Sequence, residues 1–96
     1  MMYKLDWDPK KRTSNLKKHK IDFRGIEPVF YGPTVSFIDD REDYGEEREI
    51  IYGMIGIDVV VVVYTIRGDV HWIISARKAD NNETDSFYQT LGETPS

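Results

Sequence analysis

The sequence contains no cysteine, which removes both a disulfide-stapled framework and a thiolate metal site. Its longest apolar run falls far short of the roughly 18 residues that a membrane-spanning helix needs. Residues 1–8 are interrupted by polar side chains and do not form the apolar centre of a signal peptide. A cytoplasmic location is the default expectation. No internal repeat and no linker divides the chain, so its 96 residues read as one domain with a single modest core, frayed over residues 91–96. The acidic stretch 39–49 lacks the spaced oxygens and terminal glutamate of an EF-hand, and reads as a mobile surface loop.

Charge is unevenly distributed. Residues 10–24 hold Lys10, Lys11, Arg12, Lys17, Lys18, Lys20 and Arg24 against Asp22 alone, whereas residues 39–49 hold seven acids against Arg41 and Arg48. The basic segment suits nucleic acid or an acidic partner; the plainer alternative is a solvated helix face.

The apolar centre runs from Arg48 to Arg77. Its β-branched and aromatic residues predict three strands, Arg48 to about Met54, Asp58 to Ile66 and Val70 to Arg77. Gly56 and Gly68 mark the two turns, and connections this short impose antiparallel neighbours. The five consecutive valines from Val59 to Val63 predict a central strand covered on both faces. Upstream, Tyr3 to Trp7 alternates as a short strand, and Asp8-Pro9 starts a helix that runs to about His19 with Leu16 as its one strong apolar residue. A second helix from Asp22 toward Phe30 turns Phe23, Ile26, Val29 and Phe30 inward; a start at Asp22 leaves Pro28 in its interior, where it kinks or ends the helix, whereas a start near Gly25 puts Pro28 in the tolerant first turn. Thr34 to Ile38 is a further strand, and Asp80-Asn81-Asn82-Glu83 caps a final helix to about Leu91. The order β-α-α-β-β-β-β-α is that of an α+β two-layer domain, an antiparallel sheet packed by two N-terminal helices and one C-terminal helix.

Several ordered segments carry a family resemblance. They are Trp7-Asp8-Pro9, the run Ser14-Asn15-Leu16-Lys17-Lys18-His19 followed by Ile21-Asp22-Phe23, Val29-Phe30, Asp39-Asp40-Arg41 and Gly45-Glu46-Glu47-Arg48. Gly53, the valine strand ending Tyr64-Thr65, and Ile73-Ile74-Ser75-Ala76-Arg77-Lys78-Ala79 complete the set. Over about residues 5–90 the chain resembles the BrnT toxins. That resemblance implies a RelE/ParE-like ribonuclease fold and RNA cleavage without a metal or other cofactor. It also implies neutralisation by a BrnA-like antitoxin, through which alone operator DNA is bound. Trp72 stands where many relatives carry arginine, and their second helix usually lacks a proline such as Pro28.

Metal-free RNA cleavage requires a base for the 2′-hydroxyl, cations at the phosphate and an acid for the leaving oxygen. Arg77 and Arg48 are the phosphate candidates because the guanidinium fork matches phosphate oxygens and stays charged. Placed at a strand end and a strand start, they are expected to share one rim, roughly 10 Å apart. His19 is the acid/base candidate, with Lys18 beside it, and Lys11, Lys17 and Lys78 are the RNA-binding candidates. Each has a plainer reading: His19 as a cation at a helix C-terminus, Arg48 as an ion-pair partner. Period-two alternation puts His71, Ile73, Ser75 and Arg77 on one face, with His71, Tyr64 and Glu47 as further candidates. A catalytically silent antitoxin-binding module acting only in operon regulation is the alternative.

Overall fold

The computed structural model describes residues 3–92. Strand β1 (Lys4–Trp7) leads into helix α1 (Pro9–His19), followed by two 3-10 turns at Phe23–Gly25 and Glu27–Phe30. Strands β2 (Val35–Asp39), β3 (Arg48–Ile55), β4 (Asp58–Arg67) and β5 (Val70–Lys78) come next, and helix α2 (Asn81–Thr90) completes the order. The architecture is α+β, a five-stranded sheet in the order β1-β5-β4-β3-β2 with two helices. The expectation of a frayed end lies, from residue 93 onward, outside the described residues.

The three-strand centre follows from its turns. Gly56 and Gly68 hold φ of 61° and 63°, a left-handed conformation that β-branched residues resist. Each closes a tight hairpin, pairing Ile55 with Asp58 and Arg67 with Val70. β4 is central in these pairings, and its alternate valines are buried on both faces.

Two expectations about the rest of the fold are corrected. The second N-terminal helix is absent, and the two 3-10 turns stand in its place. Pro28 has no N–H to donate and fits only the first turn of a new helical segment, so the chain restarts at Glu27 rather than continuing from Asp22. Nor is the sheet wholly antiparallel, because β1 pairs parallel to β5, with Leu5 beside His71 and Trp7 beside Ile73. That pairing is non-local, and no turn in the sequence signals it.

The inward residues of the turns are those expected. Phe23, Ile26, Val29 and Phe30 are buried against Ile51, Val60, Val62, Tyr64, Ile73 and Ala76. Gly53 permits this close approach. A Cβ built there would lie 2.7 Å from Val29 Cγ1 and 2.8 Å from the Val29 carbonyl oxygen. Helix α1 is held by polar groups, since Leu16 faces outward at 39% exposure. Arg12 forks onto Asp22 at 2.7 and 2.8 Å, and Asn15 is buried at the edge of β5. The loop after β2, expected to be mobile, is organised around Asp39, which accepts from Arg41 Nε at 2.7 Å, from Arg41 Nη2 at 2.8 Å and from the Tyr44 hydroxyl at 3.2 Å.

Candidate functional site

The covering turns occupy one face of the sheet, and the opposite face carries the chemistry. Alternation sends Val59, Val61, Val63 and Thr65 of β4 to this second face, and the register places Arg77 level with Val61 and Tyr52. Ser75 stands level with Val63 and Ile50. Val61, Val63, Ile50, Tyr52, Ser75 and Arg77, with Phe37, Arg41 and Glu83, line a groove of about 290 Å³. Helix α2 bounds one end, anchored by buried Phe87 and by Tyr88, whose hydroxyl donates to the Met54 sulfur at 3.8 Å.

Arg77 and Glu83 form the centre of the groove. The guanidinium donates to both carboxylate oxygens, Nη1 to Oε1 at 2.7 Å and Nη2 to Oε2 at 2.8 Å. The same carboxylate accepts the Tyr52 hydroxyl at 3.2 Å and the Asp80 N–H at 3.0 Å, while Asp80 caps the Glu83 N–H at 2.8 Å. One side chain therefore both completes a capping box and holds the arginine. The Arg77 hydrogen bonds keep the Glu83 carboxyl at about 2, so it is an anion throughout the neutral range. Burial, reinforced by the Glu83 charge, pushes the Tyr52 hydroxyl above its ordinary value.

Three more arginines belong to this face. Arg41, its side chain 70% exposed, reaches the groove while bonded to Asp39, whose carboxyl it holds at about 2. Arg48 lies 4.0 Å over the Tyr44 ring, and its buried Nε has no hydrogen-bond partner among the described residues. Arg67 lies 4.6 Å over the Trp72 ring and 3.5 Å from Glu46. Among the described residues no three His, Asp or Glu side chains cluster so as to hold a metal ion. The positive charge of the face is supplied by guanidinium groups, which bind phosphate oxygens in pairs.

Residues 7–83 match the family model for the ribonuclease toxin, BrnT, of type II toxin-antitoxin system. The chain belongs to the BrnT family. No curated protein matches it. Membership supplies two classes of partner, an antitoxin and an RNA target. The matched segment ends at Glu83, so it includes the whole Arg77–Glu83 pair and leaves most of α2 beyond it.

Within this BrnT-family chain the residues expected at the site are not gathered in one place. Arg77 and Arg48 share the open face, but not a rim. Strands β3 and β5 each run antiparallel to β4 and so run parallel to one another, which puts the start of one beside the start of the other. Arg48 is thus two strands and four residues from the level of Arg77, roughly 16 Å between Cα atoms at standard sheet spacings. Lys18 and His19 end helix α1, which packs beside β5, and no residue of that helix lines the groove. Lys11 and Lys17 are exposed on the same helix. Lys78 pairs with Val60 on the core-facing side and sits 3.5 Å from Asp58.

The face shared by His71, Ile73, Ser75 and Arg77 is also corrected. A bulge lies where Val63 pairs with Ser75 but Tyr64 pairs with Ile73, so Ile74 is the extra residue. His71 and Ile73 therefore point into the core, whereas Ser75 and Arg77 line the groove. Sequence reasoning missed Arg41, Tyr52 and Glu83 as groove residues. Counting back through the two glycine turns brings Tyr52 level with Arg77 once the bulge is known, and the bulge has no local signature. In the sequence Glu83 signals only a helix cap.

Proposed function

We propose that the chain is an endoribonuclease toxin that cleaves RNA without a metal ion, arrests translation and growth, and is neutralised in the cytoplasm by a BrnA-like antitoxin. Operator DNA is contacted only through that antitoxin. The observation that carries the reading is the Arg77–Glu83 pair at the floor of an open groove with Arg41 at its wall. A RelE/ParE-like assignment agrees with an open sheet face bearing cations, and the single-domain reading is retained for residues 1–96.

In this reading Arg77 and Arg41 bind the scissile phosphate, whose oxygens replace part of the carboxylate contact on each guanidinium. Glu83, freed from one hydrogen bond, takes the 2′-hydroxyl proton. The 2′-oxygen attacks phosphorus, the bond to the 5′-oxygen breaks, and that oxygen takes a proton from water, whose hydroxide takes the proton from Glu83 and restores the carboxylate, leaving a 2′,3′-cyclic phosphate. The cations offset the charge that develops at phosphorus. Arg48 meets the strand farther along the same face. Lys18 and His19, with Lys11, Lys17 and Lys78, hold flanking phosphates rather than the reacting one, because they lie outside the groove.

The test is cleavage of a defined single-stranded RNA by the purified protein with a chelator present. Cyclic phosphate ends that disappear in Arg77→Ala and Glu83→Gln, with Arg77→Lys intermediate, support the reading. The bidentate closure of Arg77 by Glu83 favours a second reading, the catalytically silent antitoxin-binding module. Folded wild-type protein that cleaves no RNA, alone or with ribosomes, selects it.

A further inference from the structure

Next to the arginine groove lies a second cleft, of about 370 Å³, between β2 and α2. Phe37, Tyr52 and Glu83 line both, so the two are continuous. The volume lies within the roughly 300–1,000 Å³ of small-ligand sites. We propose that this cleft is a nucleobase subsite, in which one base of a single-stranded RNA stacks on Phe37 while its phosphate is held by Arg77 and Arg41. The inference rests on the ribonuclease reading and adds to it the way the substrate is positioned.

Phe37 is the stacking platform. It is a large apolar ring on an edge strand, yet it is 49% exposed. Its ring stacks on Tyr52 with centroids 5.8 Å apart and planes 27° apart, and Tyr52 is itself held by its hydroxyl on Glu83. A ring braced on one side and exposed elsewhere is fixed in orientation before a base arrives, so little side-chain freedom is lost on stacking.

The opposite wall supplies polar edges. Asn82, Ser86 and Thr90 recur every four residues, which puts them on one side of α2, and all three line the cleft and are exposed. Their amide and hydroxyl groups donate and accept, as base edges do. Ser86 and Thr90 lie beyond the family-matched residues. An apolar ring facing neutral hydrogen-bonding groups suits a base, and the adjoining guanidinium pair suits the phosphate attached to it. A purely anionic ligand has no use for the first half of this arrangement, and an apolar peptide has none for the second.

The experiment uses the full chain and a pentanucleotide carrying 2′-O-methyl groups, which cannot be cleaved by 2′-oxygen attack. Its affinity is compared with that of the same backbone lacking its bases. Loss of one stacked base should weaken wild-type binding about tenfold. Phe37→Leu, an apolar exchange at an exposed site, should abolish that difference and leave the affinity of the base-free strand unchanged. Arg77→Ala should weaken both strands alike. Wild-type protein that binds the two strands equally, or Phe37→Leu that still distinguishes them, overturns the subsite. If wild type cleaves RNA but shows no discrimination, the subsite fails and the ribonuclease reading stands. If it neither cleaves nor binds, both fail.

Discussion

Asn15 and Ala76, 61 positions apart, are joined by two hydrogen bonds: Asn15 Nδ2 donates to the Ala76 carbonyl at 2.8 Å, and Asn15 Oδ1 accepts the Ala76 N–H at 3.1 Å. The reason lies in the parallel pairing of β1, which ends with Trp7 beside Ile73 and leaves the following edge of β5 without a strand. The side-chain amide serves as one peptide unit of the missing strand, and its Nδ2 also donates to the Ile21 carbonyl at 3.0 Å. This tie fixes α1 to the sheet although its one strong apolar residue faces water.

Asn15→Ala should therefore cost more than the loss of a few contacts, because the buried Ala76 N–H and carbonyl lose their partner. Unsatisfied buried groups cost about 1–3 kcal/mol each, so a loss of roughly 2–4 kcal/mol is expected. Urea denaturation checks it: the midpoint should fall at unchanged slope. An unfolding free energy within about 0.5 kcal/mol of wild type would show that Ala76 finds another partner.

Gly53→Ala tests the approach of the second 3-10 turn. The new methyl meets both the Val29 side chain at 2.7 Å and its carbonyl oxygen at 2.8 Å, so the turn must lift from the sheet. Overpacking of this kind costs about 1–3 kcal/mol. Adding Val29→Ala should restore only part of the loss, since the carbonyl contact remains. Full recovery in the double variant would put the whole clash on Cγ1.

The difference between what was legible and what was not follows the range of the interactions. The hairpins over 48–78 were readable because Gly56 and Gly68 act within four residues of the strands they join. The α2 cap was readable for the same reason, as Asp80 and Glu83 bond each other's backbone. The parallel docking of β1, the bulge at Ile74 and the meeting of Glu83 with Arg77 depend on segments that approach only after the sheet has formed. Pro28 is a local signal of the same kind: its place in a first turn is legible in the sequence, and it sets the restart at Glu27 that gives two turns instead of one helix.

The Glu83 carboxylate makes a pH-dependent contribution whose sign is fixed by its environment. Its folded value is about 2 against an ordinary 4.5, the first cause being the Arg77 hydrogen bonds. A lowered carboxylate pKa stabilises the fold above the ordinary value, and that stabilisation is lost as pH falls toward the folded value. Thermal midpoints of wild type should decline between about pH 4.5 and about pH 2, and Glu83→Gln should decline less steeply. Asp22 and Asp39, also held at about 2 by Arg12 and Arg41, keep a residual slope in the variant. Equal slopes in the two proteins would mean that the Arg77 contact is absent in solution.

His71 should act in a separate window nearer neutrality. Its ring packs against Tyr3, Phe30 and Tyr64 at centroid distances of 5.1–5.3 Å, and its buried Nδ1 has no hydrogen-bond partner among the described residues. Burial pushes its pKa below the ordinary 6.5, against an opposing pull from Glu49. The unfolded chain thus takes up a proton before the folded chain does, and stability falls as pH drops from about 6.5 through the folded value. His71→Phe should flatten the change in urea midpoint between about pH 7.5 and about pH 5.5. Glu49→Gln should steepen that change by removing the one charge that favours the imidazolium, at the expense of the hydrogen bond from the Tyr64 hydroxyl. If Glu49→Gln instead flattens the profile, the pull of Glu49 outweighs burial, and the histidine is charged in the folded protein.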